Sequence, residues 1–168
     1  EQTPLVAPPG VATTGVAAET LSETFTSFSP RISVDYQITD DTLIYGLFSR
    51  GFRPGGFNAA LKTSPPALVA ALLSVVPTAS LAFEQEQLDN YEVGIKSTFL
   101  DGRARAILTF YKNDWIDGQV GSTVALPGFT NLIAITVNNG EAKLEGMEFE
   151  GQFQATRNLK LSGTFAYN

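Results

Sequence analysis

The sequence contains no cysteine and no histidine, and charged residues are scarce. Without cysteine, neither a disulfide framework nor a thiolate metal site can form. Without histidine, the commonest protein metal ligand and the usual general base are both missing. Charged residues make up 17% of the 168 residues, below the roughly 25% of soluble domains. The net charge of −6 argues against nucleic acid as a partner, because such proteins present a basic surface.

Long apolar runs are lacking too. The longest, Ala67–Val76, is bounded by Pro66 and Pro77 and is too short to cross a bilayer as a helix, which takes about 20 residues. A hydropathy scan would therefore predict a soluble protein. That scan misses membrane strands, in which apolar and polar residues alternate.

Alternation is what the sequence does contain. From Ile32 to Ile38 every second residue is apolar, which predicts a β-strand with one apolar and one polar face. The same pattern predicts an antiparallel up-and-down meander of about six strands, at 25–38, 42–52, 88–99, 103–117, 137–154 and 159–168. In the fifth strand the alternation changes phase near Glu145-Gly146, which predicts a β-bulge.

The predicted polar face carries ions at mid-strand, whereas the opposite face carries Ile, Val, Leu, Phe and Tyr. These ions are Asp35, Glu92, Lys96, Arg105, Lys143, Glu148 and Glu150. The aromatic residues Tyr45, Tyr111 and Trp115 fit either an aromatic girdle of a membrane barrel or ordinary strand packing.

The connections between predicted strands alternate in length. Short turns lie at 39–41, 100–103 and 155–158. Residues 53–87 form a long and irregular connection, and 118–136 form a second long connection that contains glycine and proline. Leu68, Leu72 and Val76 recur at helical spacing, which predicts a short helix in the first long connection. Short turns thus lie at one end of the sheet and long loops at the other, as in membrane barrels. Residues 1–23 show no sustained period and are predicted to be an irregular loop.

The segment Tyr45–Asn58, YGLFSRGFRPGGFN, contains a strand that breaks abruptly. Pro54 lacks an amide hydrogen and Gly55-Gly56 favours a turn, so the strand is predicted to end near Phe52. Side chains around this break offer charge, an aromatic ring and an amide to a ligand. The candidate ligand-binding residues are therefore Arg50, Arg53, Phe57 and Asn58. The alternative for either arginine is a salt bridge or simple solvation at the strand end.

The residues do not predict an enzyme, a metal site or a cofactor. Glu148 and Glu150 lie about 7 Å apart on one strand face, a spacing compatible with an inverting glycosidase. Any solvated strand face carries such pairs, however. Gly51–Gly56 is not followed by the Gly-Lys-Ser/Thr of a phosphate-binding loop, and Asp40-Asp41 lacks the carboxylate count of a calcium loop.

Four segments in order resemble TonB-dependent outer-membrane receptors, over residues 25–168. The segments are Tyr45–Asn58; Tyr91–Ile107, YEVGIKSTFLDGRARAI; Phe110-Tyr111 with Asp117 and Gln119; and 139–150, NGEAKLEGMEFE. In the fourth segment, Asn139-Gly140 stands where members of the family usually carry Asn-Ala-Gly.

The resemblance implies that residues 24–168 are a slice of a 22-stranded transmembrane β-barrel in the bacterial outer membrane. The plug domain and the TonB-contacting segment are then expected outside this chain. Lipid is expected on the apolar face and a wet lumen on the other. The implied activity is TonB-driven uptake of a small-molecule cargo, such as a ferric siderophore or similar iron complex, with cobalamin or a glycan as alternatives. The residues alone also allow a soluble all-β ligand- or carbohydrate-binding module.

Overall fold

The computed structural model describes residues 21–130 and 132–168. In chain order its elements are β1 (Arg31–Thr39), β2 (Thr42–Arg53), β3 (Gly56–Phe57), α1 (Ala59–Thr63), α2 (Pro66–Val75), β4 (Ala82–Phe83), β5 (Glu86–Phe99), β6 (Ala104–Ile116), β7 (Gln119–Ala125), β8 (Leu132–Asn138), β9 (Ala142–Thr156) and β10 (Leu159–Tyr167). The main sheet has the order β1-β2-β5-β6-β9-β10, and every neighbouring pair is antiparallel. The predicted six-stranded meander is confirmed, and the 22-strand count stays a prediction.

The predicted sorting of connections by length is also confirmed. Residues 40–41, 100–103 and 157–158 form short turns at one end of the sheet, called here the turn end. Both long connections leave from the opposite end, the loop end. Of the predicted irregular segment 1–23, residues 1–20 lie outside the described residues, and residues 21–23 form no regular element.

The first strand is shorter than predicted. It begins at Arg31, whereas the sequence pattern predicted a start at Phe25. Pro30 precedes it and has no amide hydrogen to donate to a sheet ladder. The carbonyl of Pro30 accepts a hydrogen bond from the amide of Arg50 at 3.0 Å. β2 continues to Arg53 and β5 starts at Glu86, since these two residues are paired across the strands.

The prediction for residues 118–154 was wrong in two respects. Its first part was predicted as a connection without strands, but it contains β7 and most of β8, which form an antiparallel hairpin. Its second part is not one strand, because β8 ends at Asn138 and β9 begins at Ala142. Gly140 interrupts them with φ +101°, a conformation that glycine adopts without steric cost. The alternation of Ile133, Ile135 and Val137 was the sequence signal for β8.

The predicted bulge at Glu145-Gly146 was wrong as well. β9 pairs with β6 in unbroken register from Ala142 opposite Trp115 to Phe153 opposite Ala104. The phase change in the sequence has a different cause. At the loop end of β9 the two faces exchange polarity, so the apolar residues move to the other side of a regular strand.

The register assigns each side chain to a face, because directly paired residues of neighbouring strands share one. The face that contains Val93 is called the Val93 face, and its middle is apolar and exposed: Ile44, Val93, Ile95, Phe110, Phe149 and Phe165. The opposite face is called the Lys96 face, and it carries Asp35, Glu92, Lys96, Arg105, Glu148 and Glu150. Lys143 was predicted among these ions. Because no bulge is present, it lies on the Val93 face.

The two long connections, 54–85 and 117–141, pack on each other and are called here the cap. α2 confirms the predicted helix. Its Leu68 and Leu72 are buried, and proline occupies its first turn, a position where proline is favoured. The buried cluster of the cap draws on both connections: Leu61, Leu68, Leu72, Ala79, Leu126, Ile133, Ile135 and Val137. The ninth buried apolar residue of the described chain, Ala104, lies in the sheet. Among the described residues, no helix is long and apolar enough to cross a membrane.

Candidate functional site

At the loop end of the sheet, the two faces differ from the rest of their length. The Val93 face becomes ionic there, with one row of paired residues running Arg50, Asp89, Asp114 and Lys143. The Lys96 face carries one apolar row at this height, which runs Gly51, Leu88, Trp115 and Ala142. Leu144 extends it one step below, in a row that is otherwise polar.

The apolar patch on the Lys96 face borders a cavity of about 650 Å³. Leu88, Trp115, Ala142 and Leu144 form its apolar wall. The indole of Trp115 lies tightly against the chain where the second long connection begins. A Cβ atom on Gly118 would approach the ring within 2.9 Å, so only glycine fits there without displacing the ring. Arg53, Glu86 and Asn113 supply the polar edge of the cavity.

Arg53 is the predicted ligand-binding residue that the structure brings to this cavity. Its guanidinium lies 3.7 Å from the Glu86 carboxylate, and its side chain remains 66% exposed. The other Glu86 oxygen accepts a hydrogen bond from the backbone amide of Gln119 at 2.6 Å. Glu86 is therefore held in place, while Arg53 makes one long contact and still faces solvent.

Arg50 lies on the opposite face from Arg53, because the two are three positions apart along a strand of period two. It forms two hydrogen bonds to the carboxylate of Asp89, at 2.6 and 2.7 Å. Asp89 is 4% exposed and also accepts a hydrogen bond from the side-chain amide of Gln87 at 3.0 Å. The guanidinium stands 6.0 Å from the ring centre of Phe48. Arg50 thus forms the salt bridge that was the alternative to ligand binding.

Asn58 and Phe57 lie in the cap. The Asn58 amide donates to the carbonyls of Ser80 at 2.9 Å and Thr136 at 2.7 Å. Its oxygen accepts the Thr136 amide at 2.7 Å. The side chain is buried, and all three contacts are internal. Phe57 is half-buried in β3, where it pairs with Ala82 of β4.

The aromatic residues Tyr45, Tyr111 and Trp115 all lie on the Lys96 face. Tyr45 hydrogen-bonds the Thr109 hydroxyl at 2.8 Å, and the Lys96 ammonium lies 4.5 Å from the Tyr45 ring centre. They do not form a belt on the apolar Val93 face. The sequence did not single out Leu88, Leu144 and Trp115 as site residues. The off-phase apolar residues Ala142 and Leu144 were the signal that could have found them.

Carboxylates do not converge on a metal-sized site in the described part of the chain, where no group of three or more acidic side chains is close enough to hold an ion. The cavity presents an apolar wall, one indole, one amide and one Arg–Glu pair. This combination suits an organic molecule with an apolar body and an anionic group.

Comparison with known proteins gives one family match. Residues 8–168 match the family model described as "TonB dependent receptor-like, beta-barrel". The curated metal-pseudopaline receptor CntO of Pseudomonas aeruginosa is 28% identical over 143 residues, which cover 83% of this chain. The chain spans only 16% of the length of that relative.

Solved structures share the fold. The alcaligin outer-membrane receptor FauA from Bordetella pertussis superposes with a TM-score of 0.52 at 16% identity, over 84% of this chain and 22% of that one. The copper transporter OprC superposes with a TM-score of 0.56 at 17% identity, over 83% of this chain and 20% of that one.

Proposed function

Because this chain belongs to the TonB-dependent receptor family, in its β-barrel part, we propose that it forms wall and mouth of an uptake receptor for a metal–chelator complex. The ferric complex of a siderophore is the cargo we favour. The family is one of the bacterial outer membrane, so the soluble module considered from the sequence has no support. In this setting the Val93 face contacts lipid, and the Lys96 face lines the lumen.

The exchange of polarity at the loop end is the observation that carries the proposal. On the outer side of a membrane barrel, charged residues are costly in the hydrocarbon layer but cost little near its edge. The ionic row from Arg50 to Lys143 fits such an edge. A lumen filled only with water gives no reason for an apolar patch at the same height. Leu88, Trp115 and Leu144 are accounted for if the apolar body of a cargo molecule rests on them.

The relatives support the chemical class of the cargo. One is a receptor for a metal–pseudopaline complex and one for alcaligin, according to their names. A metal that arrives already chelated needs no protein ligands, so a chain without histidine and cysteine is compatible with such cargo. Arg53 then faces an anionic group of the chelator, and Phe57 begins the loop that adjoins it. Arg50 and Asn58 contribute indirectly, by holding the strand and the cap.

Transport also needs parts that this chain does not supply. Release of a bound cargo inward requires energy, which in this family is coupled through TonB. We propose that the chain takes part in that step only as barrel wall and mouth. No catalytic role is proposed for any of its residues.

The test uses the full-length receptor in a strain that lacks it. The strain is limited for iron and supplied with ferric hydroxamate or ferric catecholate, and in separate cultures it is limited for cobalamin or for a glycan and supplied with that nutrient. We expect growth on one ferric chelate to depend on the receptor. Trp115→Ala should weaken binding of that chelate to the purified receptor about 10- to 100-fold, since burial of a large apolar side chain contributes about 1.5–3 kcal/mol.

Leu159→Ala, at the exposed turn end, is the control and should leave binding unchanged. If growth depends on the receptor only when cobalamin or a glycan is the limiting nutrient, that molecule is the cargo and the proposed ferric chelate is not. Equal binding by Trp115→Ala and the control would show that the cavity is not the binding site.

A further inference from the structure

The cap meets the sheet at four points of the chain, and two side-chain amides tie all four together. The Gln119 amide donates to the carbonyls of Pro54 at 2.8 Å and Glu84 at 3.0 Å. The Asn138 amide donates to the carbonyls of Glu84 at 2.9 Å and Asp117 at 2.7 Å. Its oxygen accepts the Glu84 amide at 2.7 Å. Hydrogen bonds therefore join the points at which the two long loops leave the sheet to the points at which they return to it.

A third amide joins the loops farther from the sheet. Asn58, at the start of the first loop, binds both the carbonyl and the amide of Thr136 in the second. Asn58 and Gln119 are among only three buried polar side chains of the described residues. Apolar packing runs across the same boundary, since α2 and β8 share one buried cluster.

Carboxamides suit these positions for a chemical reason. Asn58 and Asn138 each donate two hydrogen bonds and accept one from the backbone. A carboxylate of the same size accepts but cannot donate. Replacement by aspartate would leave backbone carbonyls without a partner and place a charge beside them. This is costly at the buried Asn58 and less so at the half-buried Asn138.

We infer that Asn58, Gln119 and Asn138 are positioning residues that clamp the two outer loops into a single unit, so that the second loop sets the position of the first. The clamp reaches the cavity directly. The backbone amide of Gln119 holds Glu86, and Glu86 is the ion partner of Arg53. The consequence for cargo binding rests on the proposed function, whereas the mechanical coupling of the loops does not.

Hydrogen exchange of the purified full-length receptor tests the coupling without any cargo. In Asn138→Asp, whose substitution lies in the second loop, peptides from 56–83 in the first loop should exchange about tenfold faster. Peptides from 88–99 in the sheet should not change. Asn139→Asp is the matched control, because the Asn139 side chain is exposed and lies next to the clamp.

A second variant, in the other loop, keeps the test decisive if one of the two proteins fails to assemble. Heat-modifiable gel mobility reports whether each barrel has assembled. Asn58→Asp in the first loop should speed exchange of peptides from 132–138 in the second. Faster exchange confined to the loop that carries each substitution would overturn the inference. Coupled exchange in a receptor that binds no ferric chelate would refute the proposed cargo and leave the clamp standing.

Discussion

The sheet and the cap handle apolar side chains in opposite ways. On the Val93 face, Val93 is 56% exposed and Phe110 is 48% exposed, and no second layer formed by residues 21–130 or 132–168 covers them. In the cap, Leu72 is fully buried between a helical loop and a hairpin. The sheet therefore depends on lipid and on neighbouring strands for its apolar contacts, whereas the cap holds its own core.

The sheet and the cap also differ in how they accommodate polar side chains. The Lys96 face presents the carboxylates of Glu148 and Glu150 to solvent, which fits the wet lumen of a barrel. The cap instead buries neutral amides and satisfies them internally. A membrane wall and a small globular unit are thus built into one chain, and substitutions should separate them.

The largest effect is expected in the core of the cap. Leu72→Ala should destabilise the cap by about 2–5 kcal/mol, because it removes a fully buried side chain and leaves a cavity. Leu73→Ala is the control, since the neighbouring leucine is 42% exposed. Limited proteolysis of the assembled receptor should cleave the loops of Leu72→Ala sooner, with unchanged barrel mobility on gels. Equal cleavage of the two variants would mean that the cap has no core of its own.

A charge on the lipid side of the sheet should come next. Val93→Arg at mid-strand should cost about 2–4 kcal/mol of folding free energy in a bilayer. Lys96→Gln on the lumen side should cost less, because the half-buried lysine loses a cation–π contact with the Tyr45 ring, worth about 0.5–2 kcal/mol. Denaturant titration in lipid vesicles measures both. The reverse order of costs would exchange the assigned faces.

The smallest effect concerns the two arginines at the loop end. Arg50→Ala should lower stability more than Arg53→Ala does, since it leaves the buried Asp89 carboxylate without its charged donor. Arg53→Ala should cost less than about 1 kcal/mol, as expected for an exposed ion pair. Thermal unfolding in detergent measures this pair.

Binding should rank the arginines the other way. Arg53→Ala should weaken binding of an anionic ferric chelate more than Arg50→Ala does, with the largest difference at low salt. A salt-independent effect would mean that Arg53 does not meet the cargo through its charge.

Much of the sheet could be predicted because strand alternation is a local property. Ile32 to Ile38 carries period two whatever surrounds it, and the short turns follow from residues such as Asp101-Gly102. The helix around Leu68 and Leu72 followed from spacing in the same way. The hairpin of β7 and β8 was missed although Ile133, Ile135 and Val137 alternate. That its apolar side packs on α2 could not be predicted, since α2 lies far away in the chain.

The candidate site was predicted only in part. Arg53 was expected at the site and lies at the cavity. That Arg50 lies on the opposite face of the strand follows from the alternation of side chains, but it was not predicted. Asn58 was expected to meet a ligand, but the structure shows its amide fully engaged within the cap. A buried, satisfied amide and an exposed one have the same sequence signature.

Patterns within single strands and connections were enough to predict the class of fold and the sorting of loops by length, and four segments in order were enough for the family. The exchange of polarity near Gly146 could not be predicted in this way, because it is recognised only from the register of β9 with β6. The tertiary structure also decided which amides clamp the loops. Hydrogen bonds such as that from Gln119 to Pro54 join residues far apart in the chain, and no local pattern encodes which distant carbonyl an amide will meet.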